Sequence, residues 1–472
     1  MAIDLKRRDF LKIGAGVGLS ALVGNVACGP DGANEDVCDL PLPTEAEMAA
    51  GAVQKGPYVQ YIDRTSVRLR FETRIDQEVP VIVQRGKSTE ELIPDRVSDE
   101  INFRRGIGKR NNPRQDKAGT HVLHTLTLDK LTPGESISYT VMHAAGEPIC
   151  GTVVAPPSSN TAFRLGWIAD TMYPTNEGSI DCLIAQKPDL VLHGGDLVYD
   201  TNPIDSWNEL FAQLQPVFRS CAMHFNVGNH EFESQNEIVV QFDRLLNGQG
   251  LGSHIDANGK DNSIDAYGRP RRYHSFYYGG VQFICLDSES RIPEEEDYAT
   301  GELIEEKSDG VRELLSEDSE QMQWLDAQLE SARTDPDVRH IVVSFHRPYF
   351  TWSKYGTRGE TLLMRELLHP RFVDAGVSAV LCGHVHAFEY FEVDGIPYIV
   401  DGGGGALGVD PEQTKEEILE ERPEEADFHQ FADGSYGITT IDFEKDGGFT
   451  VRRFKASDEQ TPQYERYYPP KA

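Results

Sequence analysis

Five apolar runs in this sequence each end in residues that can hold a metal ion or move a proton. Phe163 to Ala169 is followed by Asp170, and Leu190 to His193 by Gly194-Gly195-Asp196-Leu197-Val198-Tyr199. Met223 to Val227 leads into Gly228-Asn229-His230-Glu231. Ile341 to Phe345 leads into His346, and Val377 to Cys382 into Gly383-His384-Val385-His386. Asp, Asn, Tyr and His are oxygen and imidazole donors, which suit iron, zinc or manganese better than a thiolate site would. A carboxylate bridging two cations can hold them about 3.5–4 Å apart, the separation used for in-line phosphoryl displacement. Each residue alone also has a plain structural role as a turn, cap or core group. Three short patterns in one chain, each behind an apolar run, are hard to assign to chance.

The elements that must position these groups follow from periodicity. From Phe163 onward, short apolar runs alternate with helical patterns, which predicts a layered α/β domain. In such sheets ligands gather at the carboxyl ends of the strands, where all five groups fall. Ser319 is placed to cap a helix whose Met322, Leu325 and Leu329 recur on one face. Upstream, Ser66 to Phe71 and His121 to Leu128 alternate with period two, and Pro133-Gly134 supplies a turn before Ser136 to Met142. These predict a small β-sandwich over 53–156, closed by the linker Ala155-Pro156-Pro157-Ser158-Ser159, with the α/β domain over 157–472.

The chain has 472 residues, long enough for two or three domains, and a formal net charge of −32. That charge argues against a nucleic-acid-binding surface, which needs a basic footprint. It also repels a phosphate substrate unless bound cations reverse the sign locally. The acidic runs Glu294 to Asp297 and Glu416 to Glu425 read as solvated loops. Lys6-Arg7-Arg8-Asp9-Phe10-Leu11-Lys12 with the apolar Ile13 to Ala27 behind it resembles a twin-arginine export signal. Residues 1–27 are thus expected to direct export to the periplasm, the extracellular space or the outer surface. Val26-Ala27-Cys28 resembles a lipoprotein cleavage site, so Cys28 is a candidate for lipidation and membrane attachment. Residues 28–52, rich in Pro, Gly, Ala and acidic groups, are expected to form a flexible tether. Of the seven cysteines, Cys38 and Cys150 are a candidate disulfide, and Cys285 and Cys382 are expected as buried thiols.

Gly195-Asp196-Leu197-Val198-Tyr199, Gly228-Asn229-His230-Glu231, Val343-Ser344-Phe345-His346 and Gly383-His384-Val385-His386 resemble the second to fifth motifs of purple acid phosphatases, within the calcineurin-like metallophosphoesterases. Tyr273 to Phe276, Leu286 to Glu289 and Gln323 to Leu325 support the resemblance, which covers roughly 163–454. The stretch from Lys55 resembles the fibronectin-III-like domain that often precedes the phosphatase domain, without a Trp to anchor its core. The resemblance implies two β-sheets packed together and flanked by helices. It implies a ferric ion on Asp170, Asp196, Tyr199 and His386, and a divalent zinc, manganese or iron ion on Asp196, Asn229, His346 and His384. Asp196 would bridge, metal-bound hydroxide would attack a small-molecule phosphate monoester, and His230 would serve the leaving oxygen. One motif departs: where the family has Asp-x-Gly, this chain has Asp170-Thr171-Met172.

Substrate recognition is less legible. Arg269, Arg272 and Arg347 are candidates for phosphate contacts because a guanidinium can hold phosphate oxygens by two hydrogen bonds. Asp256 to Asp265 lacks the glycine and glutamate of a calcium loop. Two alternatives stand beside the monoesterase: a phosphodiesterase or nucleotidase using two divalent ions, and a surface-anchored binding protein with a vestigial site.

Overall fold

The structure, a computed structural model, describes residues 43–101, 119–172, 178–199, 203–233, 237–246, 254, 262–266, 268–292 and 311–470. The expected export signal, Cys28, Cys38 and the acidic run at Glu294 lie outside these residues.

Among the described residues the N-terminal part has eight strands in two antiparallel sheets. One sheet holds Lys55–Asp63 (β1), Ser66–Thr73 (β2), Asp95–Ile101 (β5) and Gly119–Leu128 (β6) in the order β1-β2-β6-β5. The other holds Val81–Arg85 (β3), Ser88–Leu92 (β4), Ser136–Val141 (β7) and Ile149–Val154 (β8) in the order β4-β3-β7-β8. Val67, Leu69 and Phe71 of the first sheet share a core with Val81, Val83 and Tyr139 of the second. Valine and tyrosine therefore do what a core tryptophan would have done. Residues 45–49, expected within the flexible tether, form one helical turn instead. Thr44 and Glu47 cap each other's backbone there, a reciprocal box that satisfies the free N–H groups of a helix start.

The second part contains two larger sheets. The first sheet includes Phe163–Ile168 (β9), Leu190–His193 (β10) and Ala222–Phe225 (β11), mutually parallel in the order β11-β10-β9. It continues antiparallel through Gly437–Phe443 (β19), Phe449–Lys455 (β20) and Asp458–Tyr468 (β21). The second sheet has His274–Tyr278 (β12), Val281–Cys285 (β13), His340–Phe345 (β14), Ala379–Cys382 (β15), Phe388–Val393 (β16), Ile396–Asp401 (β17) and His429–Asp433 (β18). Their order is β12-β13-β14-β15-β17-β16-β18, with β13, β14, β15 and β17 parallel. Leu165, Trp167 and Leu192 of the first sheet and Phe283, Val342 and Leu381 of the second belong to one apolar core. Helices cover the outer faces: Ser179–Ala185 (α1) against the first sheet, Glu320–Thr334 (α2) and Gly359–Ala375 (α3) against the second.

Helix α2 forms as its sequence predicts. The Ser319 hydroxyl accepts the Met322 N–H at 3.1 Å, and Met322, Leu325 and Leu329 are buried. Truncating Leu325, which is fully buried, is expected to destabilise the domain by about 2–5 kcal/mol. Cys285 and Cys382 are buried thiols, and burial pushes Cys285 up to about 12. Among the described residues no helix is long and apolar enough to cross a membrane. The sandwich docks firmly on the second part: the Tyr61 N–H donates to His224 at 3.0 Å, and Arg244 pairs with the buried Glu72, which also holds Lys55.

Candidate metal centre

The five strands that carry the chemistry come from both sheets, β9, β10 and β11 from one and β14 and β15 from the other. Their carboxyl ends meet where the sheets pack, so side chains distant in sequence converge without any long loop to carry them. Two glycines make the approach close. A Cβ on Gly195 would sit 2.7 Å from the Gly228 nitrogen and 2.9 Å from the His346 ring, and one on Gly228 would sit 2.2 Å from an Asp196 oxygen. Either substitution would push the two loops apart.

The donors fall into two groups. In the first, the Tyr199 hydroxyl donates to Asp170 Oδ1 at 3.3 Å and lies 3.2 Å from His386 Nε2, which is 3.5 Å from the same Asp170 oxygen. In the second, Asp196, His346 and His384 each offer a ligand atom, all within 4.8 Å of one another, and Asn229 Oδ1 lies 3.1 Å from His346 Nε2. Asp196 reaches both groups electrostatically, since its charge acts on Tyr199 and His386 as well as on His346.

Ring orientations are set from behind. His346 Nδ1 donates to the Gly194 carbonyl at 2.9 Å and His386 Nδ1 to the Leu407 carbonyl at 2.8 Å, which leaves each Nε2 facing the site. His384 presents Nδ1 toward His346 Nε2 at 3.2 Å. Its Nε2 accepts from Arg347 Nη1 at 3.0 Å, because a guanidinium can only donate. A cation on His384 Nδ1 would put the ring proton on Nε2 and end that contact.

The electrostatics are those of a site built for cations. Burial opposes charge on His346, yet the Asp196 and Asp170 carboxylates outweigh it and push the ring up to about 10. Burial, then Arg347 and His346, hold His384 well below the usual imidazole range. Burial, reinforced by Asp170 and Asp196, keeps the Tyr199 phenol well above 10. Asp196 Oδ2 is buried and receives no well-aligned hydrogen bond, although His346 Nε2 lies 3.2 Å away. The distance favours Coulomb attraction; the alignment leaves a lone pair unmet. An orphaned carboxylate oxygen among imidazole nitrogens fits a metal ion, which would satisfy that oxygen and replace the proton on His346.

Strain marks the same residues. Asp170, Met172, Asp196 and His384 have φ of 58°, 36°, 52° and 68°, in the left-handed region that costs an L-residue about 1–2 kcal/mol. Met172 thus occupies the backbone shape that a glycine adopts freely.

Several supporting residues are not apparent from sequence. Glu231 is fully buried and accepts N–H bonds from Gly228 at 2.7 Å, Leu197 at 2.8 Å and Asp196 at 2.9 Å, so one carboxylate ties the Asp196 loop to the Asn229 loop. Burial and the nearby Asp196 charge push it up to about 7. Its place in Gly-Asn-His-Glu was visible, but its backbone partners were not. Glu289 grips Arg347 Nε at 2.8 and 2.9 Å, holding that arginine beside His384. Arg269 and Arg272 are placed differently from Arg347. Arg269 engages Asp265 and Glu313, and Arg272 holds Asp243 by two bonds of 2.7 and 2.8 Å. Their guanidiniums are committed to carboxylates rather than presented with the donor cluster.

A layered α/β core with hard-metal donors at the carboxyl ends of strands from two packed sheets defines a class of metallohydrolase. Within it, residues 165–388 match the profile of the calcineurin-like phosphoesterase family. The chain carries a calcineurin-like metallophosphoesterase domain, homologous to purple acid phosphatases. It is 27% identical over 226 residues to the probable inactive purple acid phosphatase 9 of Arabidopsis thaliana, covering 45% of this chain and 31% of that one. Its fold is similar to that of purple acid phosphatase PPD1 from yellow lupin (Lupinus luteus), with a TM-score of 0.61 at 17% identity over 87% of this chain and 73% of the other. It is also similar to PhoD, with a TM-score of 0.55 at 15% identity over 91% and 90% of the two chains. Across five curated relatives that it matches, the chain spans 31% to 64% of their length.

Proposed function

We propose that this chain is an exported metal-dependent phosphatase that hydrolyses phosphate monoesters, using one ferric and one divalent ion, the latter zinc, manganese or iron. The observation that carries it is Tyr199, whose hydroxyl stands between Asp170 and His386. A phenol held above its usual range by burial becomes a phenolate only beside a strongly charged cation, which favours a ferric ion. When bound, the metal pair supplies an activated water and neutralises charge on the phosphate.

The chain's own residues do the rest. Asp170, Tyr199 and His386 would hold one ion, Asn229, His346 and His384 the other, and Asp196 both. His230 keeps part of its ring exposed, packs against Tyr199 with centroids 3.9 Å apart, and has Nε2 3.9 Å from Asp196 Oδ2. That location lets it hand a proton to the leaving oxygen from outside the ligand set, a role worth roughly 10²–10⁴ in rate. Export, with attachment through Cys28, rests on the first 28 residues of the sequence.

A second function, a binding protein that keeps the fold without turnover, is favoured by one observation: the strained Met172 beside the first group of donors. The name of the Arabidopsis relative marks that protein as probably inactive, so likeness alone does not decide turnover. The test is metal content, visible spectrum and ester hydrolysis on one preparation. Two metals per chain, one of them iron, with a broad purple band and monoester turnover, is the expected result. Two divalent ions without colour, with preferred diester turnover, would give the phosphodiesterase or nucleotidase instead. His230→Ala is expected to keep both metals and slow esters with poor leaving groups most. Equal slowing for good and poor leaving groups would remove His230 from that role.

A further inference from the structure

On the side of His384 the donor cluster opens into a cleft that the proposed hydrolysis does not use. It runs from His384 and Arg347 along Tyr355 to Arg312, Arg358 and Glu360, a shallow cleft enclosing about 30 Å³ with one side open to solvent. Two of its cations are engaged: Arg347 with Glu289 and Arg312 with Glu360. Arg358 and the neighbouring Lys354 are not. Their charged ends lie 4.5 and 5.0 Å from the centre of the Tyr355 ring, and both side chains are exposed. Among the described residues neither has an ion-pair partner. The Tyr355 ring lies 4.3 Å from the ring of His384, so these two charges stand one aromatic ring away from a candidate metal ligand.

On a chain of net charge −32, among the described residues Arg312, Arg347, Lys354 and Arg358 stand against Glu289 and Glu360 at this place, an excess of positive charge. The tyrosine face also limits the freedom of the guanidinium and ammonium groups, so less entropy is lost when they bind. We propose that this wall is a second anion site. Resting on the phosphatase function above, it makes the preferred substrate a phosphate monoester carrying a second anionic group, a carboxylate or another phosphate, on a short spacer. The scissile phosphate sits at the metals while the second anion meets Arg358 and Lys354.

The experiment is calorimetry on the metal-loaded full chain with three inert ligands: benzylphosphonate, 4-carboxybenzylphosphonate and the bisphosphonate bearing a second phosphonomethyl group at that position. The anionic analogues are expected to bind roughly fivefold to tenfold tighter than the parent, as charge-assisted contacts at an exposed site allow. The larger gain identifies carboxylate or phosphate as the second group. In Arg358→Gln/Lys354→Gln the ratio to benzylphosphonate is expected to fall close to one, with the parent ligand reporting that the site is still folded. A ratio of one in the unmodified chain, or a ratio that survives the double substitution, overturns the proposal. Turnover of phenyl phosphate without any such preference would remove the anion site and leave the phosphatase. A preference without turnover of any ester would remove the phosphatase and leave the anion site.

Discussion

The two groups of candidate metal donors are built differently, although the charge of Asp196 acts on both. The second group is buried: the side chain of His346 is 0% exposed, against 19% for His386 in the first. Its frame is tied by Glu231, which fixes the Gly228 loop to the Asp196 loop, while Asp170 of the first group donates its N–H to the Gly195 carbonyl and accepts the His384 N–H. Left-handed residues occur in both groups, Asp170 and Met172 in the first and Asp196 and His384 in the second, but only the first relies on a phenol that becomes a good ligand only next to a cation. Both halves are organised by hydrogen bonds before any ion arrives, but the first depends more on the ion itself because of its phenol. Substitutions that strike both halves, the frame, or one half alone should therefore separate cleanly.

The largest effect is expected where the halves meet. Asp196→Asn removes a carboxylate whose charge acts on both groups and, with the proposed metal pair, is expected to leave little metal bound and turnover down roughly 10³-fold or more, since bound metals would supply several kcal/mol of transition-state stabilisation. Metal content per chain checks it. Full occupancy with normal turnover would show that Asp196 is not shared.

Next comes the frame of the second half. Glu231→Ala strands the buried N–H groups of Asp196, Leu197 and Gly228, at about 1–3 kcal/mol each before water enters, so a loss of about 3–5 kcal/mol is expected. Urea unfolding of Glu231→Ala beside Glu231→Gln measures it. Glutamine keeps one acceptor and is expected to lose less.

That pair also shows what sequence could and could not reveal. Candidate ligands could be named because coordination chemistry restricts them to a few residue types, and their convergence could be anticipated because apolar runs announce strand ends. The layered fold and the capped helix α2 were legible for the same periodic reason. Glu231 acts on backbone N–H groups, which every residue has, so no residue type signals its partners. Arg269 and Arg347 look alike in sequence, yet Asp265 and Glu313 engage one while Glu289 aims the other at His384. Tyr355 and Arg358, just before α3, meet the His384 side of the site only in the folded chain, which no local pattern announces.

A smaller effect should confine itself to the first half. Tyr199→Phe keeps the ring packed on His230 but removes the phenol, so with the proposed ferric ion a purple band would vanish while an ion on His346 and His384 would remain. A fall of roughly tenfold in turnover, about 1.4 kcal/mol, is expected. Unchanged colour would place the charge-transfer ligand elsewhere.

The smallest effect tests whether the first half is weakened by its own backbone. Met172 has φ of 36°, a conformation that costs about 1–2 kcal/mol for an L-residue and nothing for glycine. Glycine in turn adds about 0.5–1 kcal/mol of unfolded-state entropy. The difference predicts that Met172→Gly changes stability by about 1 kcal/mol or less, with the gain from relieved strain slightly ahead. Metal occupancy should be more sensitive than stability, because Asp170 is two residues away and shares the strained turn. A sharper iron titration in Met172→Gly, at unchanged occupancy of the second half, would show that methionine loosens the first half. Identical titrations would mean that its side chain turns away and that the two halves differ in construction without differing in strength for that reason.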